Sequence, residues 1–181
     1  NSHWAASYAR KQIGRLNFPP HTVIHNPLTR RELLSIGEAE RAIFRKELNI
    51  PCDRQILINI SRMEPGKGHR DLLDALIRID DASIHLYLLG AGALEADLKA
   101  HTRELGIGER VHFLGFQEDL KPYLASADLF VSASQLDSLP NAFLEAHASV
   151  LPIVSYPTAG IPEIVNSGET GILCQENSPT E

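Results

Sequence analysis

Cysteine and long apolar runs are both scarce in this chain. Its two cysteines, Cys52 and Cys174, lie far apart and form no CxxC motif. This excludes a disulfide framework and favours a reducing compartment. No apolar stretch approaches the ~18 residues that a membrane-spanning helix needs, and no signal-peptide segment opens the chain. We therefore expect a cytoplasmic protein. No membrane contact is visible in this sequence, and peripheral association of the full-length protein with a membrane is compatible with this expectation.

Positive charge is limited as well. The 17 Lys and Arg residues are outnumbered by 23 Asp and Glu residues, which gives a net charge of −6. No polybasic run is present, so we expect neither a nucleic-acid partner nor a basic membrane patch. The single methionine, Met63, is internal, and we expect the sequence to be a piece of a longer protein. Its 181 residues, 43% of them hydrophobic, suit one globular domain with a fragment of another.

From Asp53 onward, apolar segments of strand length alternate with helical patterns. Such strands, without polar alternation, are typical of a parallel sheet that is covered on both faces. The sequence therefore predicts an α/β fold with a doubly wound, Rossmann-like parallel sheet. The predicted strands are Ile56–Ile60, Ile84–Leu89, Val111–Leu114, Leu129–Val131, Ile153–Tyr156 and Gly171–Cys174, with helices around Arg70–Ile79, Leu94–Leu105, Leu120–Ala125 and Pro140–Val150.

The segment before Asp53 is less regular. It reads as a helix over Asn1–Arg15, a short β-like run at Thr22–Ile24, a turn-rich stretch from His25, and a charged helix around Gly37–Leu48. The proline and asparagine of the turn-rich stretch are typical of a hinge or linker.

Glycine and charged residues cluster directly after five of the predicted strands. In doubly wound sheets, ligands bind beyond the carboxyl ends of the strands, and glycine lets backbone approach a ligand closely. We therefore expect a ligand site built from these five loops: Ser61–Gly68, Gly90–Gly92, Gly115–Phe116, Ser132–Pro140 and Tyr156–Glu163.

Two acids, Asp137 and Glu145, flank Pro140, a residue suited to the first turn of a helix. Their spacing corresponds to about 12 Å along a helix axis, close to the span of a nucleotide-sugar. The helix N-terminus between them would attract phosphate. On the acid pair alone, however, the simpler interpretation is a helix start with a favourable Asp and a solvated Glu.

Arg62 and Lys67 flank a Pro-Gly turn at a predicted helix start, where cations are electrostatically unfavourable. A diphosphate needs such counter-charges, and this mismatch favours a functional role over two surface cations. Gly90-Ala-Gly92 lacks the full GxGxxG pattern, so a nicotinamide or flavin cofactor is not favoured. The eight histidines lack metal-ligand spacing and no Asp-x-Asp pair is present, so we expect neither a metal nor another cofactor.

Together these residues resemble the group 1 family of retaining glycosyltransferases, whose architecture is the two-lobed GT-B fold. The resemblance runs from Ile56 to Leu173, and the motifs are specific in their order and spacing: Arg62-x4-Lys67-Gly68, Leu89-Gly-Ala-Gly92, Val111-x-Phe113-x-Gly115, Ala127-Asp128, Ser132-x4-Asp137, Pro140-x3-Leu144-Glu145-Ala146 and Gly160-x-Pro162-Glu163. It implies that residues 1–27 are the tail of the N-terminal lobe with the interdomain linker. Residues 28–181 would be the C-terminal, nucleotide-sugar-binding domain, truncated at its end, and the acceptor-binding lobe would be a missing partner.

The resemblance also implies roles for single residues. Arg62 and Lys67 would hold the diphosphate of a UDP- or GDP-linked sugar and stabilise the leaving group, while Asp137 would contact the sugar; these three are the catalytic candidates. Glu145 would bind the ribose hydroxyls. The other donor-binding candidates are Gly115 and Phe116 at the base, the segment Ser138, Leu139, Pro140 and Asn141 at sugar or phosphate, and Gly90, Gly92 and Glu163 in neighbouring loops.

Three residues depart from the family pattern. Asp137 replaces a usual Glu, Ser61 a usual Gly before Arg62, and Val150 a usual Gly after the helix. Because a β-branched residue resists the left-handed conformation, we predict a different ending for that helix.

The expected activity is hexosyl transfer with retention to a glycan or lipid-linked acceptor, as in polysaccharide or lipopolysaccharide synthesis, with the isolated fragment not competent alone. A non-catalytic nucleotide-sugar-binding module and a nucleotide-sugar epimerase of the same fold remain alternatives.

Overall fold

The computed structural model describes residues 2–13, 22–23, 37–135 and 137–174. Two helices come first, α1 His3–Ile13 and α2 Glu38–Glu47. The remaining elements alternate along the chain as β1 Gln55–Ile60, α3 His69–Leu76, β2 Ile84–Leu89, α4 Glu95–Glu104, β3 Val111–Gly115, α5 Lys121–Ser126, β4 Leu129–Ser132, α6 Asn141–Ala148, β5 Ile153–Ser155 and β6 Gly171–Leu173.

The six strands form one parallel sheet in the order β3-β2-β1-β4-β5-β6. This confirms the predicted doubly wound, Rossmann-like fold. The chain first builds outward from β1 to β3 and then returns to β4 on the other side of β1. The topological switch point therefore lies between β1 and β4, where sheets of this kind bind their ligands.

Each face of the sheet has its own apolar core. On one face, Leu73 and Leu76 of α3 and Leu98 of α4 pack against Leu86 and Leu88 of β2. On the other face, the buried side chains come mainly from β1, β4, β5, α5 and α6, and include Ile56, Ile58, Phe130, Phe143 and Ile153. Burial on both faces explains why the strands are apolar without alternation.

Asp128 fastens α2 to the edge of this layered structure. Its carboxylate accepts hydrogen bonds from Arg41 at 2.6 Å and Arg45 at 2.8 Å, and from the backbone N–H of Ile56 at 2.7 Å. Arg45 also donates to the carbonyl of Ser126 at 3.0 Å. The Ala127-Asp128 motif therefore has a structural role here, joining α2, β1 and the start of β4.

Most predicted elements are confirmed, with shifts at their ends. The helix predicted over Arg70–Ile79 spans His69–Leu76. Pro140 is the N-cap of α6 rather than part of its first turn. Thr22 and Val23, expected to begin a β-like run, are not in a strand, and the predicted hinge from His25 lies outside the described residues.

The predicted change of helix ending at Val150 is wrong. Val150 keeps a left-handed backbone, with φ at 57°, and its N–H donates to the carbonyl of His147 at 2.9 Å. Its side chain is 72% exposed, so no buried neighbour opposes this conformation. The helix therefore ends in the left-handed conformation that glycine adopts easily, although this conformation is strained for Val150.

In the described parts of the chain, none of the helices has the length and apolar character required to cross a bilayer.

Candidate functional site

The loops that follow β1, β2 and β3 are joined by backbone hydrogen bonds. The N–H of Ser61 donates to the carbonyl of Leu89 at 3.0 Å, and the N–H of Gly90 donates to that of Gly115 at 2.7 Å. These bonds continue the parallel sheet beyond the ends of its strands. They hold the three loops side by side at its carboxyl edge.

Gly90 and Gly92 are required by close packing of backbone on backbone. A Cβ at Gly90 would lie 2.1 Å from the carbonyl oxygen of Ser61, and one at Gly92 would lie 2.3 Å from that of Met63. The sequence suggested that these glycines admit a ligand. In the structure, the room that they leave is taken by the β1 loop.

The loop after β4 lies against the loop after β1. Gln135 donates its N–H to the carbonyl of Gly66 at 2.9 Å. Gly68 has a φ of 70°, and a Cβ there would lie 1.9 Å from the carbonyl oxygen of Ala133. The second glycine of the Pro-Gly-Lys-Gly turn is thus needed both for its conformation and for the contact between the two loops.

The loop after β5 supports the β4 loop from the other side. Gly160 donates its N–H to the carbonyl of Asp137 at 3.2 Å, and Thr158 donates its hydroxyl to the carbonyl of Ser134 at 2.7 Å. A Cβ at Gly160 would lie 1.6 Å from the carbonyl oxygen of Ser138. The five loops are therefore linked in one continuous row, in which each loop contacts at least one neighbour.

Lys67 and Asp137 form an ion pair at the switch point. The Nζ of Lys67 lies 2.7 Å from Oδ2 of Asp137, and their side chains are 19% and 23% exposed. The hydroxyl of Ser134 donates to the same oxygen at 3.1 Å. A cation expected to hold diphosphate and an acid expected to hold sugar thus lie beside each other, although 70 positions separate them.

Arg62, the other expected cation, does not join this pair. Its guanidinium pairs with Glu64 at 3.0 Å, and its side chain is 73% exposed. An exposed pair of this kind is worth roughly 0–1 kcal/mol, so an anionic ligand would meet little resistance in recruiting Arg62. The β1 loop therefore presents one cation half-buried in the site and one at its solvent side.

Helix α6 begins directly after the Asp137 loop. Leu139 is buried, while Ser138 and Pro140 are half-buried and Asn141 is exposed. Buried Leu139 can offer a ligand only its backbone, as the sequence suggested. Glu145 lies half-buried in the second turn of α6, and the partial positive charge of the helix N-terminus lies between it and Asp137.

The candidates for binding the base are Gly115, which is the last residue of β3, and Phe116, which follows it. Gly115 has a φ of 68°, with open space where a Cβ would be. Phe116 is 80% exposed. An exposed aromatic ring beside the carboxyl edge of the sheet is a surface on which a planar ring can stack.

Glu163 contacts α1. Its carboxylate accepts hydrogen bonds from the backbone N–H groups of His3 at 2.9 Å and Trp4 at 2.7 Å. The side chain of Ser2 accepts from Ala5 at 3.0 Å. Glu163, expected in a donor-binding loop, thus stabilises the N-terminus of a helix distant in sequence.

A buried polar cluster below the β1 loop was missed by the sequence reasoning. Asn59, Ser61 and His69 are joined by hydrogen bonds of 2.8 and 3.1 Å. Burial, and secondarily the charge of Lys67, lowers the pKa of His69 from 6.5 to about 4. Asn59, the polar residue within the predicted apolar strand Ile56–Ile60, was the available signal.

Within the described ranges, three or more His, Cys, Asp or Glu side chains nowhere gather in a position to hold an ion.

Comparison with known proteins gives the family. The family model for glycosyl transferases group 1 matches residues 40–181, and this chain belongs to that family.

Curated relatives include a lipopolysaccharide core biosynthesis glycosyltransferase of Rhizobium meliloti, 33% identical over 132 residues, which are 73% of this chain and 38% of the relative. Another is the N-acetyl-alpha-D-glucosaminyl L-malate synthase of Bacillus anthracis, 33% identical over 137 residues, 75% of this chain and 36% of the relative. The chain therefore spans well under half the length of these relatives.

Solved structures agree with this assignment. HepE of Anabaena, in complex with UDP and glucose, superposes with a TM-score of 0.87 at 26% identity, over 100% of this chain and 50% of HepE. Its UDP-glucose complex gives 0.85 at 25% identity, over 97% of this chain and 49% of HepE. The fold and the family are thereby established.

Proposed function

We propose that this chain is the donor-binding, C-terminal domain of a retaining glycosyltransferase that takes a hexosyl unit from a nucleoside-diphosphate sugar. The observation that carries the proposal is the Lys67–Asp137 pair at the switch point, beside the N-terminus of α6. UDP is the favoured nucleotide, since HepE at 25–26% identity has been crystallised with UDP and with UDP-glucose. A glycan or a lipid-linked sugar is the favoured acceptor, because a relative acts in lipopolysaccharide core biosynthesis.

The ion pair suggests how the donor is bound. A diphosphate carries more negative charge than one carboxylate, so it competes with Asp137 for Lys67. When Lys67 turns to the diphosphate, Asp137 becomes available to accept hydrogen bonds from hydroxyls of the sugar. The ion pair thus keeps the side chains of Lys67 and Asp137 ordered at the place where the bond between diphosphate and sugar will lie.

Charge stabilisation then accounts for the chemistry. Cleavage of the anomeric bond leaves negative charge on the nucleoside diphosphate, and Lys67, with Arg62 recruited from Glu64, stabilises that charge. Glu145 holds the ribose, Phe116 lies against the base, and the backbone around Leu139 and Asn141 contacts sugar or phosphate. In this mechanism the cations take the place of a metal ion.

The organisation of the whole protein follows from this role. Residues 1–27 are the end of the N-terminal lobe and the interdomain linker, and residues 28–181 are the donor domain, with the acceptor site on the N-terminal lobe. We place the protein in the cytoplasm, with peripheral attachment to the membrane when its acceptor is lipid-linked.

Calorimetry with UDP, GDP and ADP and their hexose conjugates, with and without EDTA, tests the proposal. We expect binding of one nucleoside diphosphate and its sugar that EDTA leaves unchanged. Absence of binding at millimolar ligand would refute the donor site. Epimerised sugar formed without acceptor would favour the epimerase alternative, and donor binding by a full-length protein that never transfers or hydrolyses the sugar would favour a non-catalytic module.

A further inference from the structure

The buried cluster of Asn59, Ser61 and His69 lies below the loop that carries Arg62 and Lys67. We propose that His69 is a positioning residue, which holds this loop in its donor-binding conformation through a hydrogen bond to Ser61. The inference rests on the proposed function of the loop, because the cations are the groups being positioned. It also gives a role to Ser61, one of the three departures from the family pattern.

The hydrogen bonds fix the direction of every donor in the cluster. The amide nitrogen of Asn59 donates to the carbonyl of Val131 at 2.8 Å, which leaves its oxygen as an acceptor. The single hydroxyl proton of Ser61 goes to that oxygen at 2.8 Å. The 3.1 Å contact between Ser61 and Nε2 of His69 must therefore have the imidazole as donor. Because burial lowers the pKa of His69 to about 4, the ring is neutral at pH 7 and its proton is on Nε2.

The same cluster leaves one polar atom unsatisfied. Nδ1 of His69 is buried and has no hydrogen-bond partner, and the residue as a whole is 3% exposed. An unpaired buried acceptor is costly, so the ring is not placed here for stability alone. Because it is buried, it does not contact the diphosphate directly, and its effect on a ligand must pass through the loop.

The cluster joins the two anchors of the loop. Asn59 lies in β1, just before the loop, and His69 is the first residue of α3, just after it. Ser61, at the start of the loop, is bonded to both. A side-chain bridge therefore closes the loop at its base, while Gly68 holds its far end against the β4 loop. Loss of the bridge loosens the base of the segment between Ser61 and Gly68, which carries both cations and is otherwise held by backbone hydrogen bonds at Met63 and Gly66.

The test compares variants of the full-length chain. His69→Phe keeps an aromatic ring and removes the donor, whereas His69→Gln places an amide N–H near the position of Nε2. Ser61→Ala leaves the ring but removes its acceptor, together with the hydrogen bond from Ser61 to Asn59. His85→Phe is the matched control, since His85 is also a buried histidine, 8% exposed, but lies near the amino end of β2. Amide hydrogen exchange of residues 62–68 without ligand measures how well ordered the loop is. The calorimetric Kd for UDP measures the effect of that order on donor binding.

We expect His69→Phe to speed exchange in the loop by about tenfold and to weaken UDP binding by about fivefold, the effect of one lost buried hydrogen bond. Ser61→Ala loses two hydrogen bonds and should have at least this effect. The double variant should be no worse than Ser61→Ala alone, His69→Gln should stay within about twofold of the native protein, and His85→Phe should leave loop exchange and Kd unchanged.

Unchanged loop exchange in Ser61→Ala would overturn the inference, even if His69→Phe does not fold. An equal effect of His85→Phe would also overturn it, because the change would then reflect general destabilisation. If the native protein binds neither UDP nor GDP, the proposed function fails, yet loop exchange still decides whether His69 orders the loop.

Discussion

At the scale of single residues, we expect Lys67 to be the group on which donor binding depends most. It is half-buried and already held 2.7 Å from Asp137, so its ammonium is ordered before a ligand arrives. Lys67→Ala should weaken binding of the nucleoside diphosphate by about 1.5–3 kcal/mol, the worth of charge-assisted hydrogen bonds. Calorimetry with UDP measures the loss, and a change below a few tenths would remove Lys67 from the site.

Asp137 provides the complementary variant. Asp137→Asn removes the carboxylate that competes with diphosphate for Lys67, so UDP alone should bind at least as tightly as it does to the native protein. The gain in affinity from UDP to UDP-sugar should shrink by about 1 kcal/mol, because a neutral amide accepts hydroxyl hydrogen bonds less strongly. Equal losses for UDP and UDP-sugar would contradict the division of roles between the two residues.

The pKa of His69 makes stability depend on pH in a defined window. Burial and, secondarily, the charge of Lys67 lower this pKa from 6.5 to about 4. Between these two pH values His69 is protonated in the unfolded chain and neutral in the folded chain. Stability is therefore fully present above pH 6.5 and is lost as the pH falls towards 4, by roughly 3 kcal/mol in all.

Urea unfolding at pH 7 and pH 5 of the native protein and of His69→Gln isolates this contribution. Burial also lowers the pKa of His85, His112 and His147, and these histidines contribute equally to both proteins. The native protein should lose more stability between the two pH values than the variant does. Identical losses would show that His69 does not titrate in this window.

At the scale of elements, the end of α6 carries strain that a single change should relieve. Val150 holds a φ of 57° with its side chain exposed. Val150→Gly removes about 1–2 kcal/mol of left-handed strain and loses part of it to the greater freedom of glycine when unfolded. We expect a net stabilisation of about 0.5–1 kcal/mol in urea unfolding.

The neighbouring Ser149 supplies a control of opposite sign. Its φ is −89°, so Ser149→Gly relieves no strain and should destabilise by about 0.5–1 kcal/mol. Destabilisation by both variants would mean that Val150 is not strained in solution.

The elements themselves were largely predictable from the sequence. The bounds of β2, Ile84–Leu89, were predicted as observed because its run is apolar apart from His85 and is followed by a glycine. The meeting of five loops was also predictable, since a parallel sheet brings the carboxyl ends of its strands to one edge. The contact of Lys67 with Asp137, the turning of Arg62 to Glu64 and the capping of α1 by Glu163 were not predictable, because side-chain partners depend on packing between distant parts of the chain.

At the scale of the whole molecule, the site lies on an open edge of one domain. The loops after β1 to β5 form one surface. Water reaches the half-buried Lys67–Asp137 pair as well as the exposed side chains of Phe116 and Arg62. An open surface suffices to bind a charged donor. Transfer without hydrolysis requires that water be excluded from the anomeric carbon, for which the proposed N-terminal lobe is needed.

Binding and turnover should therefore separate when this 181-residue chain is compared with a full-length protein containing both lobes. The chain alone should bind the nucleotide-sugar in ligand-observed NMR, but should transfer or hydrolyse it at least about 100-fold more slowly, since it lacks acceptor positioning and closure. Chromatography of released nucleoside diphosphate gives the rates, and Lys67→Ala in the same assay controls for contaminating hydrolase. Transfer by the isolated chain at the full-length rate would show that one lobe is a complete enzyme.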